Sequence, residues 1–383
     1  MAGGKPELPP PPPGELEYRI EKLNPMSVPK GKKLQCQVSD LPVTVALVTP
    51  YATLYFHSAR AAKLALDAVL KHIVHLFDMV APTKDPPAES QQERLLRLEY
   101  VGNLKHALVD YCNEIAAKHI ANHDFELAHH AAQYALRFAT EHYGSGRIEL
   151  VPAYLCLADA HLGLQQFAKA EEFLTHANWS VLKTEDSNYA LHSRLRRVLG
   201  KLFASQGRYD EALQQLAEDV YYTSLAVGPE NIDTAYGYFQ LAAVFHAMDR
   251  VDDALAMYDK VTELWFRCLY AVSQSESEFK TGDEADFFKD NRKTLSESRT
   301  AAGMEMLSEV VLRRETHMGL AHISTAEARY VIGLLQFYCM SFDEARSSLS
   351  FAYEMYVESL GDGHSSTQEV LAALDALNKE CDT

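Results

Sequence analysis

The chain is 383 residues long, 47% hydrophobic and 23% charged; that length exceeds the roughly 250–300 residues at which a single core stops growing, so domains or stacked repeats are expected. Its 36 Lys and Arg against 53 Asp and Glu leave a net charge of −17, which repels nucleic-acid phosphates and anionic lipid and argues against either as a partner. No stretch approaches the roughly 18 uninterrupted apolar residues of a membrane span, and the six cysteines, at least 42 residues apart, form no CxxC pair and no disulfide framework.

Residues 1–27 are rich in Pro, Gly and charge and read as a flexible arm of polyproline II character, because they hold too little apolar surface to offset the entropy of ordering. The run Pro9–Pro13 stands where a signal peptide would carry its apolar segment, so a cytosolic, reducing location is expected. Residues 28–80 are mixed. Val43–Val48 is β-branched and strand-like, Pro50 interrupts it, and Tyr51–Phe56 follows. Helical spacing then sets in at Ala62, Leu64, Ala65, Ala68, Val69, His72, Ile73 and Leu76, before Pro82, Pro86 and Pro87 mark a linker.

From Gln91 onward the chain reads as nearly all helix, and it repeats. The small residues Ala116, Ala158, Gly200 and Ala242 follow one another at intervals of 42. Each is preceded by an aliphatic residue (Ile115, Leu157, Leu199, Leu241). Nine places on stands a bulky apolar residue (Phe125, Phe167, Tyr209, Val251), and twelve places on an alanine (Ala128, Ala170, Ala212, Ala254). A later copy, Ile332, Gly333, Phe342 and Ala345, begins 91 residues after Ala242, two periods plus seven. One unit between them is therefore degenerate. Residues 266–300 read as an insertion, after which Ala301, Met304, Leu307, Val310 and Val311 supply the inner face of a surviving helix; residues 301–380 hold C-terminal repeats and a capping helix.

Close packing explains the pattern. A small residue on one helix lets the alanine of the next approach, and the bulky residue fills the wedge beside them. Turn residues keep the same phase: Gln206-Gly207 and Met248-Asp249 within units, and Tyr143-Gly144, Gly228-Pro229, Met318-Gly319 and Gly361-Asp362-Gly363 between them. Residues 91–265 are thus four helical hairpins. They resemble the tetratricopeptide repeat family, which implies an all-α, right-handed superhelix. The unit is longer than the family's roughly 34 residues, by about one turn per helix or ~12 Å of added rise in total.

No HExxH, GxxxxGK[ST], GxSxG or GxGxxG is present, and Gly144-Ser145-Gly146 lies at a hairpin junction with no strand before it, so no catalytic residues and no cofactor are expected. His119 and His123, at i and i+4, share a spacing that can place two imidazoles on one metal, but no third ligand accompanies them, and they read as packing residues, as do His129–His130 and His72/His75. The first helix of each hairpin is expected on the concave side. There the third unit presents Arg194, Arg197 and Lys201, a basic stripe suited to partner carboxylates or equally a solvated face. The fourth unit adds Tyr236 and Phe239, and the fifth Tyr330, Phe337 and Tyr338, as partner anchors or as core between repeats.

Several segments resemble one family more closely: Val28-Pro-Lys-Gly-Lys-Lys-Leu-Gln-Cys36, Glu149-Leu-Val-Pro-Ala-Tyr-Leu-Cys-Leu-Ala158, Ala170-Glu-Glu-Phe-Leu-Thr-His-Ala-Asn-Trp-Ser-Val-Leu-Lys183 and Tyr238-Phe-Gln-Leu-Ala242. They are similar to the zinc finger MYND domain-containing protein 12 family of ciliary proteins, over roughly Val28 to Trp265. The resemblance makes residues 28–80 a degenerate MYND-like region. Cys36 keeps the first zinc-ligand position, Ser39 replaces its CxxC partner, and Phe56, Leu70 and Val74 stand at later ones, so no metal is expected. It implies a non-enzymatic subunit of the ciliary or flagellar axoneme that helps assemble or dock an inner-arm dynein, of subspecies d. Implied partners are that dynein's heavy chain or light subunits and a second repeat protein similar to tetratricopeptide repeat protein 29, with indirect attachment to doublet microtubules. The alternative is a cargo or chaperone adaptor resembling kinesin light chain, binding peptide segments in the groove.

Overall fold

A computed structural model describes residues 8–10, 12, 16–23, 34–39, 41–80, 90–184, 188–278 and 295–381. The linker at Pro82, Pro86 and Pro87 and residues 279–294 of the 266–300 insertion lie outside the described residues. The chain divides into two compact units, Met1–Ser187 and Asn188–Thr383, and is predominantly helical.

Unit 1 opens with a three-stranded antiparallel sheet ordered β1 (Arg19–Lys22), β2 (Val45–Val48), β3 (Thr53–Phe56), with Arg19 opposite Val48 and Val45 opposite Phe56. One expectation changes here. The arm predicted over 1–27 contributes a strand, β1, beside β2 in the segment read as strand-like. Ile20, Leu16 and Leu8 pack against the unit 1 core, and the Pro9 carbonyl accepts a hydrogen bond from His75 Nε2 at 3.2 Å. These contacts between distant segments, with the β2 ladder, supply what the arm's own composition lacks. Val45, Leu47, Leu54 and Phe56 join Leu66, Leu70, Ile73 and Leu76 in that core. The latter come from a helical run made of α1 (Ala59–Ala65), a π turn (Leu66–Leu70), α2 (Lys71–Ile73), a 3₁₀ turn (Val74–Leu76) and α3 (Phe77–Val80).

The rest of unit 1 is two helical hairpins: α4 (Gln91–Ala121) with α5 (Phe125–Tyr143), and α6 (Val151–Gly163) with α7 (Phe167–Lys183). Unit 2 holds α8 (Tyr189–Ser205) with α9 (Tyr209–Val227), α10 (Ala235–Ala247) with α11 (Val251–Glu278), α12 (Glu297–Met318), α13 (Ile323–Tyr338) with α14 (Phe342–Leu360), and α15 (Ser365–Cys381).

The turns explain why the chain reverses on schedule. His123, Gln165, Gly207, Asp249 and Met340 all have positive φ, between 58° and 74°, one residue type after another at the same phase. That conformation stops the first helix and aims the chain into the second, which begins two residues later at Phe125, Phe167, Tyr209, Val251 or Phe342. Between hairpins, Gly228, Gly319 and Gly361 combine φ near 90° with ψ of 153° to 163°, a region essentially closed to side chains. Each Gly carbonyl then accepts from a threonine hydroxyl six residues on, Thr234, Thr325 or Thr367, at 2.9 to 3.3 Å.

The small residues lie where close packing places them. Ala116, Ala158 and Ala242 are fully buried, as are Ala128, Ala170, Ala212 and Ala345. A Cβ on Gly200 would sit 2.6 Å from Leu216 Cγ, and one on Gly333 2.8 Å from Leu349 Cδ2. Leu216 and Leu349 occupy one phase of the repeat, so the same contact recurs. Phe125 fills its wedge against the next hairpin, its ring over Gly163.

The degenerate unit keeps its second helix, α12, which ends at Gly319 as α9 ends at Gly228, 91 residues earlier. Leu307, Val310 and Val311 are buried as expected, whereas Ala301 and Met304 are half-buried and Ala302, Gly303 and Met306 take the inner face. The Trp265 indole lies directly on Gly303, where a Cβ would meet it at 2.3 Å, so this edge of α12 turns inward. No break occurs at 266, because α11 runs on to Glu278.

Candidate partner-binding face

In unit 2, α8 starts at Asn188, whose side chain accepts from the Ala190 N–H, and carries Arg194, Arg197 and Lys201 at i, i+3 and i+7, the spacing of one helix face. Arg197 is committed inside the protein. Its Nε donates to Asp219 Oδ2 at 2.7 Å and its Nη2 to Oδ1 at 3.0 Å, with Asp219 itself 0% exposed on α9. Ser193 Oγ donates to the same carboxylate at 2.6 Å, and the guanidinium lies 4.9 Å from the centre of the Tyr236 ring of α10. Burial opposes the charge, yet the attraction and hydrogen bonds of Asp219 hold the Arg197 pKa above its ordinary value. Gly237 makes room for this group, since a Cβ there would meet Val220 at 2.6 Å and Asp219 Oδ2 at 3.0 Å.

This corrects the expectation that all three cations await a partner. Arg197 and Tyr236 lock α8 to α9 and α10, while Arg194 and Lys201 stand half-buried along the same helix. The predicted aromatic anchors are also mostly core. Phe239 is buried with its ring 6.1 Å from Tyr258. Tyr330 is buried against Phe266 at 5.9 Å, and burial pushes its hydroxyl up to about 12. Phe337 packs on the same cluster 6.2 Å from Phe342, and the Tyr338 hydroxyl accepts from the Leu295 N–H.

Sequence reasoning missed a contact that recurs at four of the turns with changing chemistry. In unit 2, Arg208 stacks on Phe203 at 4.4 Å and pairs with Glu211; Arg250 stacks on Phe245 at 4.6 Å and pairs with Asp253. At the same phase of unit 1, His161 Nδ1 is 3.1 Å from Gln166 Oε1, and His119 Nδ1 is 4.0 Å from Asp124. The 42-residue offset between these pairs was the available signal.

The candidate metal positions do not converge. His123 has left the helix, with φ at 61°, and His119 Nε2 faces the Ala68 carbonyl at 3.3 Å. Within residues 28–80, Cys36 Sγ and Ser39 Oγ both approach His57 Nδ1, at 3.4 and 3.0 Å, while Phe56, Leu70 and Val74 are core. These residues do not fit tetrahedral zinc, which takes four thiolate, imidazole or carboxylate donors. Among the described residues no group of three His, Cys, Asp or Glu is placed to hold a metal ion, and no helix is long and apolar enough to cross a membrane. No protein-family model matches the sequence.

Proposed function

We propose that this chain is a non-enzymatic scaffold, a right-handed tetratricopeptide-type superhelix that helps assemble or dock an inner-arm dynein on axonemal doublet microtubules. The observation that carries the scaffold reading is the repeated hairpin: one phase sets the buried small residues and the left-handed turns in both units. Stacked hairpins of this kind present an extended surface to a partner. The axonemal assignment rests on the family resemblance of residues 28–265. The acidic charge favours contact through partner subunits over the equally acidic microtubule lattice.

Cross-linking mass spectrometry on axonemes carrying tagged protein tests this reading. Cross-links to inner-arm dynein subunits, and loss of the protein from axonemes lacking that dynein, are expected. Arg194→Glu with Lys201→Glu should weaken that association at least tenfold. Retention in dynein-deficient axonemes, or capture of short cargo peptides by the isolated protein with no dynein cross-link, would replace the reading with the adaptor alternative.

A further inference from the structure

Unit 1 carries eleven of the sixteen histidines, and three of them meet where α5 packs on α6. The His129 ring is 4.8 Å from His161 and 5.4 Å from His130, both edge to face, and His161 stacks on Phe173 of α7 at 5.5 Å. His130 and His161 are buried, and His129 Nδ1 is buried with no hydrogen-bond partner. Two periods later the positions of His129 and His161 are held by Leu213 and Phe245. These two positions are thus apolar in unit 2 and titratable in unit 1.

We propose that the His129–His161 contact is a proton-operated clasp, through which mild acid loosens α5 from α6 in unit 1 while the matching seam of unit 2 stays closed. The groups facing it leave no acceptor for an added charge at His129. His130 on the same helix, His161 on α6 and Lys169 on α7 all oppose it. Glu126, which favours a charged His130, acts there together with an opposing His57, and Glu172 favours a charged His161 against the same Lys169. Burial, then those basic groups, hold His129 down to about 3, and burial likewise lowers His130 and His161. Opening the seam frees imidazoles of ordinary pKa near 6.5. Between that pH and about 3 the open form therefore binds a proton at His129 that the closed form refuses, so closure weakens as pH falls, by about tenfold per unit for this histidine, and the lowered His130 and His161 act in the same direction.

Hydrogen exchange of the full chain, corrected for the intrinsic pH dependence of exchange, tests this at pH 7.5 and 5.5. Protection of α5 and α6 should fall at least tenfold more than that of α9 and α10, and the double variant His129→Leu, His161→Phe should abolish the difference. An equal or absent loss in the wild type would overturn the proposal, as would an undiminished difference in the variant. Should the variant not fold, NMR titration of the wild-type histidine rings decides: His129 resisting protonation to below pH 5 supports the clasp, and ordinary titration near 6.5 overturns it.

Discussion

The two units keep one geometry with two chemistries. Unit 1 closes its turns and its α5–α6 seam with histidines, Gln166 and Asp124, whereas unit 2 uses arginines on phenylalanines and a buried Arg197–Asp219 pair. The phase of the repeat fixes shape, through small residues and left-handed turns. What fills that shape sets how each unit responds to mutation and to pH.

The comparison breaks most sharply at Asp219. Asp219→Ala leaves a buried guanidinium unpaired and should cost unit 2 about 3–5 kcal/mol, read by urea unfolding followed at Trp265 in a Trp179→Phe background; no turn of unit 1 should show a comparable cost on losing a single partner, His161→Ala included. A change below ~1 kcal/mol would mean that the pair is not closed in solution. Next in size is Gly303→Ala. The added methyl collides with the rigid Trp265 indole and should cost about 1–3 kcal/mol by overpacking, although alanine is the better helix former by about 1 kcal/mol. A stabilised protein in thermal unfolding would contradict the Trp265 contact. The smallest effect is expected at the exposed turn contact of unit 2: Arg250→Ala removes the Phe245 stack and the Asp253 pair and should cost about 0.5–1 kcal/mol. Part of that loss should disappear in high salt, which the His161–Gln166 contact of unit 1 should ignore.

The hairpin phase was legible because its marks are local: a small residue, a bulky one nine places on and an alanine three further. The turn conformation was not, since only Gly207 of its five positions is a glycine and His123, Gln165, Asp249 and Met340 adopt the same φ under tertiary constraint. Arg197 read as a surface cation because its partner lies 22 residues away on another helix, and only the register of α8 on α9 brings Asp219 beneath it. Strand β1 was hidden for a similar reason. Arg19-Ile20-Glu21-Lys22 offers one apolar residue, and the β2 ladder and the core contact of Ile20 supply the rest. The aromatic positions were correctly placed on their helices, but their burial depended on neighbours that spacing alone does not reveal.

The most direct measurement enlarges the repeated small position one unit at a time. Ala158→Leu, Gly200→Leu and Ala242→Leu, each compared by equilibrium unfolding with an alanine-to-leucine change at an exposed helix site, should all destabilise by at least ~1–3 kcal/mol, against less than ~0.5 kcal/mol for the control. A neutral outcome at any of the three would show that helices do not close on that point, and the single repeating geometry would be contradicted.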